Sequence, residues 1–116
     1  GKQMPYKIVR YQDRNQKVPY REWIQKLRKR DPQAAAKIEV QVTRACYGNF
    51  ADHKFVRDGV WALRINFGQG YRVYYSIENE FIILLLVGGN KSTQQADIDK
   101  AVNYLEDYHV RMKNDQ

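Results

Sequence analysis

Two arginines, Arg64 and Arg72, stand in neighbouring segments that alternate between apolar and polar residues. From Trp61 to Phe67, the side chains of Trp61, Leu63, Ile65 and Phe67 fall on one face of an extended chain, leaving Ala62, Arg64 and Asn66 on the other. From Tyr71 to Ile77, the residues Tyr71, Val73, Tyr75 and Ile77 share one face, so Arg72, Tyr74 and Ser76 share its reverse. If the apolar faces coincide, both guanidinium groups project from one surface, where their planar donor forks suit a phosphate. Lys91 follows a third segment, Phe81 to Val87, and arrives where the chain leaves it; Lys54 stands just before the first segment. Groups fixed on strands hold such a geometry better than groups on loops. Between Gly48 and Gly59, a loop carries Asn49, Asp52, His53, Lys54, Arg57 and Asp58, and a loop of titratable groups is itself a candidate site.

The elements that must position these residues can be read outward from them. Phe67-Gly68-Gln69-Gly70 supplies glycines for a short hairpin, and Glu78-Asn79-Glu80 supplies a second turn. The unbroken apolar run from Phe81 to Val87 suits a strand covered on both faces or flanked on both edges, which makes it the expected centre of the sheet. Upstream, the β-branched and aromatic stretch Tyr6 to Tyr11 is a first strand. Pro19 opens a helix with Tyr20, Trp23, Ile24 and Leu27 on one stripe, and Arg21, Lys26, Arg28, Lys29 and Arg30 on its solvent side. Asp31-Pro32 starts a second helix, with Ala35, Ile38, Val42, Ala45 and Cys46 at helical spacing and Gly48 as its terminal cap. Ser92 and Gln95 have the spacing of a capping box for a third helix, whose buried stripe is Ile98, Ala101, Val102 and Leu105. The expected order is β-α-α-β-β-β-α. Such a chain is an α+β fold with a mostly antiparallel four-stranded sheet, an N-terminal helical hairpin and a C-terminal helix.

The 116 residues suit one domain, spanning 1–116, with enough chain to bury a sizeable core. Twenty Lys and Arg against thirteen Asp and Glu leave a formal charge of +7, which suits polyanionic partners or simply solvated helix surfaces. The single Cys46 cannot close an internal disulfide and reads as a buried thiol in a reduced compartment. No apolar run reaches the length of a membrane span, and no signal-peptide pattern opens the chain, so a soluble cytoplasmic protein is expected. The two histidines lie far apart without companion ligands, so neither a metal site nor a cofactor is expected.

Several stretches together carry a family resemblance: Arg-Glu-Trp at 21 to 23, Gly48-Asn49-Phe50, Gly59-Val60-Trp61-Ala62-Leu63-Arg64-Ile65, Phe67-Gly68-Gln69-Gly70-Tyr71-Arg72-Val73-Tyr74, and Leu-Leu-Leu-Val-Gly-Gly-Asn-Lys at 84 to 91. The segment from Gln94 to Ala101 continues the match. On these residues the chain resembles the RelE/ParE superfamily of toxin–antitoxin toxins, in its HigB-like, phage-derived branch. Where that family usually carries Glu between the Trp and Leu of the first core strand, this chain has Ala62, and no role is given to the position. The resemblance implies a cytoplasmic type II toxin that cuts mRNA, often on the ribosome. A neighbouring antitoxin, commonly a helix-turn-helix protein, would silence it and hold the pair on operator DNA.

Metal-independent RNA cleavage needs the 2′-hydroxyl deprotonated, the charge on the phosphate neutralised and the leaving 5′-oxygen protonated. The resemblance points most directly to Arg72 and Lys91 for the phosphate, with Arg64 and Lys54 beside them. His53, Lys54 and Asp97 are the candidates for proton transfer. Arg57, Tyr74, Gln94 and Asp97 are candidate RNA contacts, Tyr74 through stacking on a base. Two other readings stay open: a ParE-like inhibitor of DNA gyrase, and a basic module that binds nucleic acid without cutting it.

Overall fold

The computed structural model describes residues 5–115. Residues 1–4 and 116, the ends of the expected domain, lie outside that range. Within it, the element order is β1 (Lys7–Arg10), α1 (Pro19–Arg30), α2 (Pro32–Cys46), β2 (His53–Arg57), β3 (Val60–Ile65), β4 (Tyr71–Glu78), β5 (Ile82–Asn90) and α3 (Gln94–Asn114). The strands form one five-stranded sheet in the order β1-β5-β4-β3-β2, in which β1 runs parallel to β5 and the other neighbours are antiparallel. The four-stranded sheet expected from the sequence is therefore wrong, and so is the order β-α-α-β-β-β-α. The extra strand is β2, cut from the stretch between Gly48 and Gly59 that reads as a loop.

Its formation has a local cause. Asp58 and Gly59 both take positive φ, 51° and 82°, which is the backbone of a two-residue hairpin turn. That turn folds His53 to Arg57 back along β3, with His53 opposite Leu63 and Lys54 opposite Ala62. Being an outer strand, β2 is largely exposed and lacks the apolar alternation of its neighbours. β4, and not the most apolar strand, occupies the middle of the sheet. β5 is nonetheless flanked on both edges and covered on both faces.

Two cores sandwich the sheet. On one face Tyr20, Ile24 and Leu27 of α1 and Ala34, Ala35, Ile38 and Val42 of α2 pack on Leu63, Ile65, Tyr71, Val73, Tyr75, Ile83 and Leu85. On the other, Ile98, Ala101 and Leu105 of α3 pack on Val60, Ala62, Tyr74, Leu84, Leu86 and Val87. Asp31 joins the two N-terminal helices in a single residue: its amide donates to Leu27 at 2.6 Å, and its Oδ1 accepts from the Ala34 amide at 3.1 Å. The run Arg28, Lys29 and Arg30 occupies the last turn of α1, where cations offset the partial negative charge of exposed carbonyls. The capping box before α3 sits two residues earlier than the sequence suggests: Asn90 Oδ1 accepts from the amides of Ser92 and Thr93, and Thr93 Oγ1 accepts from the Asn90 amide. At the far end of α3, Asp107 receives hydrogen bonds from the Tyr11 hydroxyl at 2.6 Å, Arg14 Nε at 2.9 Å and Arg111 Nε at 2.9 Å, which ties the helix to the segment after β1.

Both helical layers close on the end of β5 through a pair of glycines. A Cβ on Gly88 would lie 2.2 Å from the ring of Trp23 in α1, and one on Gly89 would lie 1.8 Å from Asp97 Oδ2 in α3. Gly88→Ala should therefore destabilise the fold by about 1–3 kcal/mol through overpacking. Combined with Trp23→Ala, its cost should fall well below the sum of the two single changes, as read by urea denaturation in a double-mutant cycle. Additive costs would show that Trp23 is not what excludes the methyl group.

Candidate nucleic-acid interface

Strand pairing decides which functional side chains meet. Arg64 lies directly opposite Arg72, Arg72 lies opposite Gly89, and the Arg64 amide donates to the Asp52 carbonyl at 2.8 Å. Gly89, Arg72, Arg64 and Asp52 thus form one row across the sheet. The row sits on the α3 side, because Ala62 and Tyr74, two residues along from the arginines, pack there. Two like charges facing each other across neighbouring strands repel. Asp52 relieves the repulsion: Arg64 donates from Nε at 2.9 Å and from Nη2 at 2.7 Å to its Oδ1, while Asn66 Nδ2 donates to its Oδ2 at 3.2 Å. The hydrogen bonds from Arg64, helped by Asn66 and by the charges of both arginines, hold the Asp52 carboxyl below its ordinary pKa. Among the described residues, no carboxylate lies within ion-pair distance of Arg72. Its half-buried guanidinium is the cation of the row left to take an outside anion.

Lys54 stands on the same face, opposite Ala62 and two residues along from Asp52, at an exposed position. Lys91 is exposed one residue past β5, and its amide donates to the Gly70 carbonyl at 3.1 Å, which brings it to the end of the sheet where Arg72 enters β4. Gln94 is exposed at the start of α3. Lys91 therefore stands beside Arg72 at one end of the row, whereas Lys54 flanks Arg64 and Asp52 from the other.

Others in the sequence-based set are placed elsewhere or already engaged. His53 points to the opposite face, where its ring stacks on Trp61 with centroids 5.0 Å apart and its Nδ1 lies 3.3 Å from the Tyr75 hydroxyl. It cannot share a proton with a phosphate held at the arginines. Tyr74 is wholly buried beneath α3, its hydroxyl lacks a hydrogen-bond partner among the described residues, and burial pushes its pKa up to about 12. No base can reach that ring. Arg57 is bound by two carboxylates, Asp58 at 2.8 Å and Asp99 of α3 at 2.5 Å. Asp97 is 7% exposed and accepts from Thr93 Oγ1 at 2.5 Å, which fixes it against Gly89 as a packing group. Among the described residues, no three His, Cys, Asp or Glu side chains gather as a metal site, and no helix is long and apolar enough to cross a membrane.

Sequence reasoning missed the role of Asp52 and an aromatic row formed by Phe50, His53, Trp61 and Phe55. The signal for both was Asp58-Gly59: once that pair is a hairpin turn, the residues before it become a strand and Asp52 falls opposite Arg64. Because the folded pKa of Asp52 is depressed, its stabilising effect is present above the ordinary aspartate range and is lost as pH falls through the lowered value. Asp52→Asn should thus lower the urea midpoint at neutral pH, and that deficit should begin to shrink only as pH falls below about 4. An unchanged gap between variant and parent across that range would rule out the Asp52–Arg64 pair as its source.

No protein-family model matches the chain. An uncharacterized protein of Haemophilus influenzae is 48% identical to it over 79 residues, which cover 68% of this chain and 78% of the relative. This chain belongs to the same family as that Haemophilus protein.

Proposed function

We propose that the chain is the toxin of a type II toxin–antitoxin pair, an endoribonuclease that cuts mRNA and is silenced by a protein encoded beside it. The observation that carries this reading is the arginine row: Arg72 faces Arg64 across interior strands, Asp52 occupies Arg64, and Arg72 has no ion-pair partner among the described residues. The resemblance of the stretches around both arginines and Lys91 to RelE/ParE toxins supports the same conclusion.

In this reading Arg72 binds a non-bridging phosphate oxygen and offsets the charge that grows as the 2′-oxygen attacks phosphorus. Lys91 adds a second positive charge from the strand end. The 2′-oxygen passes its proton to solvent water, the new bond to phosphorus closes a cyclic phosphate, and the bond to the 5′-oxygen breaks. Lys54, an ammonium on the same face, supplies the proton that the 5′-oxygen needs on leaving. His53 has no part, since it lies on the reverse of the sheet. The antitoxin is a DNA-binding protein, commonly of helix-turn-helix type, through which the pair reaches its own operator, and the site of action is the cytoplasm.

Inducing the chain in bacteria, with and without the neighbouring open reading frame, and mapping mRNA 5′ ends tests the proposal. New cuts and growth arrest are expected from the chain alone, suppression by the neighbour, and loss of cutting by roughly two to three orders of magnitude in Arg72→Ala. Arrest with intact message and broken DNA would instead assign the chain to gyrase inhibition.

A further inference from the structure

The outer strand β2 carries rings on one side and a cation on the other. His53 and Phe55 lie opposite Leu63 and Trp61, on the face of the α1–α2 core, whereas Lys54 lies on the face of the arginine row. Four rings line up across this margin: Phe50 to His53 at 5.4 Å, His53 to Trp61 at 5.0 Å, and Trp61 to Phe55 at 5.4 Å. At its inner end Phe50 stacks on Tyr75, with centroids 5.8 Å apart. The helical hairpin does not cover the outer end. His53 is exposed, Phe55 is 50% exposed, and Trp61 and Phe50 are half-buried. A contiguous aromatic row left in water at the rim of a domain marks an interaction surface.

We propose that this margin is a stacking platform for single-stranded RNA. Bases lie against Phe55, Trp61 and His53, and the ribose-phosphate chain crosses the edge of β2 toward Lys54 and the arginines. The inference rests on the reading of the chain as an RNA-directed protein, and it names the rings that buried Tyr74 cannot supply. Three observations favour a nucleic acid over a protein strand. Along β2 the rings of His53 and Phe55 flank Lys54, an order of ring, cation and ring that suits bases stacking while the chain between them carries a phosphate. A register shift between Phe55 and Arg57 breaks the regular hydrogen-bonding edge that an added strand would need. The formal charge of +7 opposes a second copy and attracts a polyanion. Stacking needs unpaired bases, so a single strand is preferred to a duplex.

The chain has two tryptophans, so Trp23→Phe leaves Trp61 as the only indole and its emission as a reporter of the platform. The probe is a short single-stranded RNA of mixed sequence with 2′-O-methyl riboses, which cannot attack its own phosphates. Saturable quenching of Trp61 is expected with the single strand and not with its duplex. Affinities come from the anisotropy of labelled probe on the otherwise unaltered chain. Phe55→Ala should weaken binding roughly tenfold with the salt slope unchanged, and Phe55→Tyr should restore it. Lys54→Ala should keep the quenching but reduce the salt slope by about 0.7, one phosphate contact on a single strand. Binding that leaves Trp61 emission unmoved, or a Phe55→Ala protein that binds as tightly as its parent, would overturn the platform. So would a dimer abolished by Phe55→Ala in a protein that ignores the probe, which would give the margin to a second copy of the chain. Since the probe cannot be cut, failure of the nuclease reading leaves these readouts intact, and failure of the platform leaves message cleavage intact.

Discussion

The end of β5 is the constraint on which the molecule depends. Trp23 from one helical layer and Asp97 from the other press on consecutive residues of the same strand, and only the absence of side chains at Gly88 and Gly89 lets both approach. Close packing turns that absence into precision, because an interior at crystal-like density leaves no slack for either helix to drift. The same strand end pairs with Arg72 on one side and runs into the Asn90 cap of the last helix on the other. Consequently the position of the arginine row is set by contacts made on both faces of the sheet.

A sheet row containing two facing arginines is unfavourable in isolation, and its survival reflects a division of labour. Asp52 takes up the charge of Arg64 through two hydrogen bonds to one oxygen and leaves Arg72 uncommitted. Pairing of β3 with β4 fixes the two backbones opposite each other. Repulsion that is only half relieved is a standing attraction for an anion, and here it is built into the middle of the sheet, not on a mobile loop.

The strands that face a core on both sides, or on one with clean alternation, were legible from the sequence. Trp61 to Phe67, Tyr71 to Ile77 and the apolar run after Phe81 declare themselves because burial imposes a period of two, and the facing of Arg64 and Arg72 follows from that period. The helical hairpin was legible for the same reason, with Asp31-Pro32 marking its corner. β2 was not, because an outer strand exposed on most positions has no apolar face to reveal it. Missing it concealed both Asp52 as a partner and the side on which His53 lies. Tyr74 misled for a different cause: periodicity assigns a residue to a face but does not say whether a helix covers that face. The capping box was misplaced by two residues because Asn90, Ser92 and Thr93 are all competent capping residues, and only the backbone decides among them.

The knot at Asp107 links the residue to Tyr11 across 96 positions of sequence, so the loop it closes spans most of the described chain. The helical hairpin and all five strands precede α3 in the chain, so one face of the sheet can close while the other still lacks its cover. What α3 covers there is the apolar plane of Val60, Ala62, Tyr74, Leu84 and Leu86 beside the arginines. One helix thus both closes the second core and, through Asp97 against Gly89, borders the arginine row.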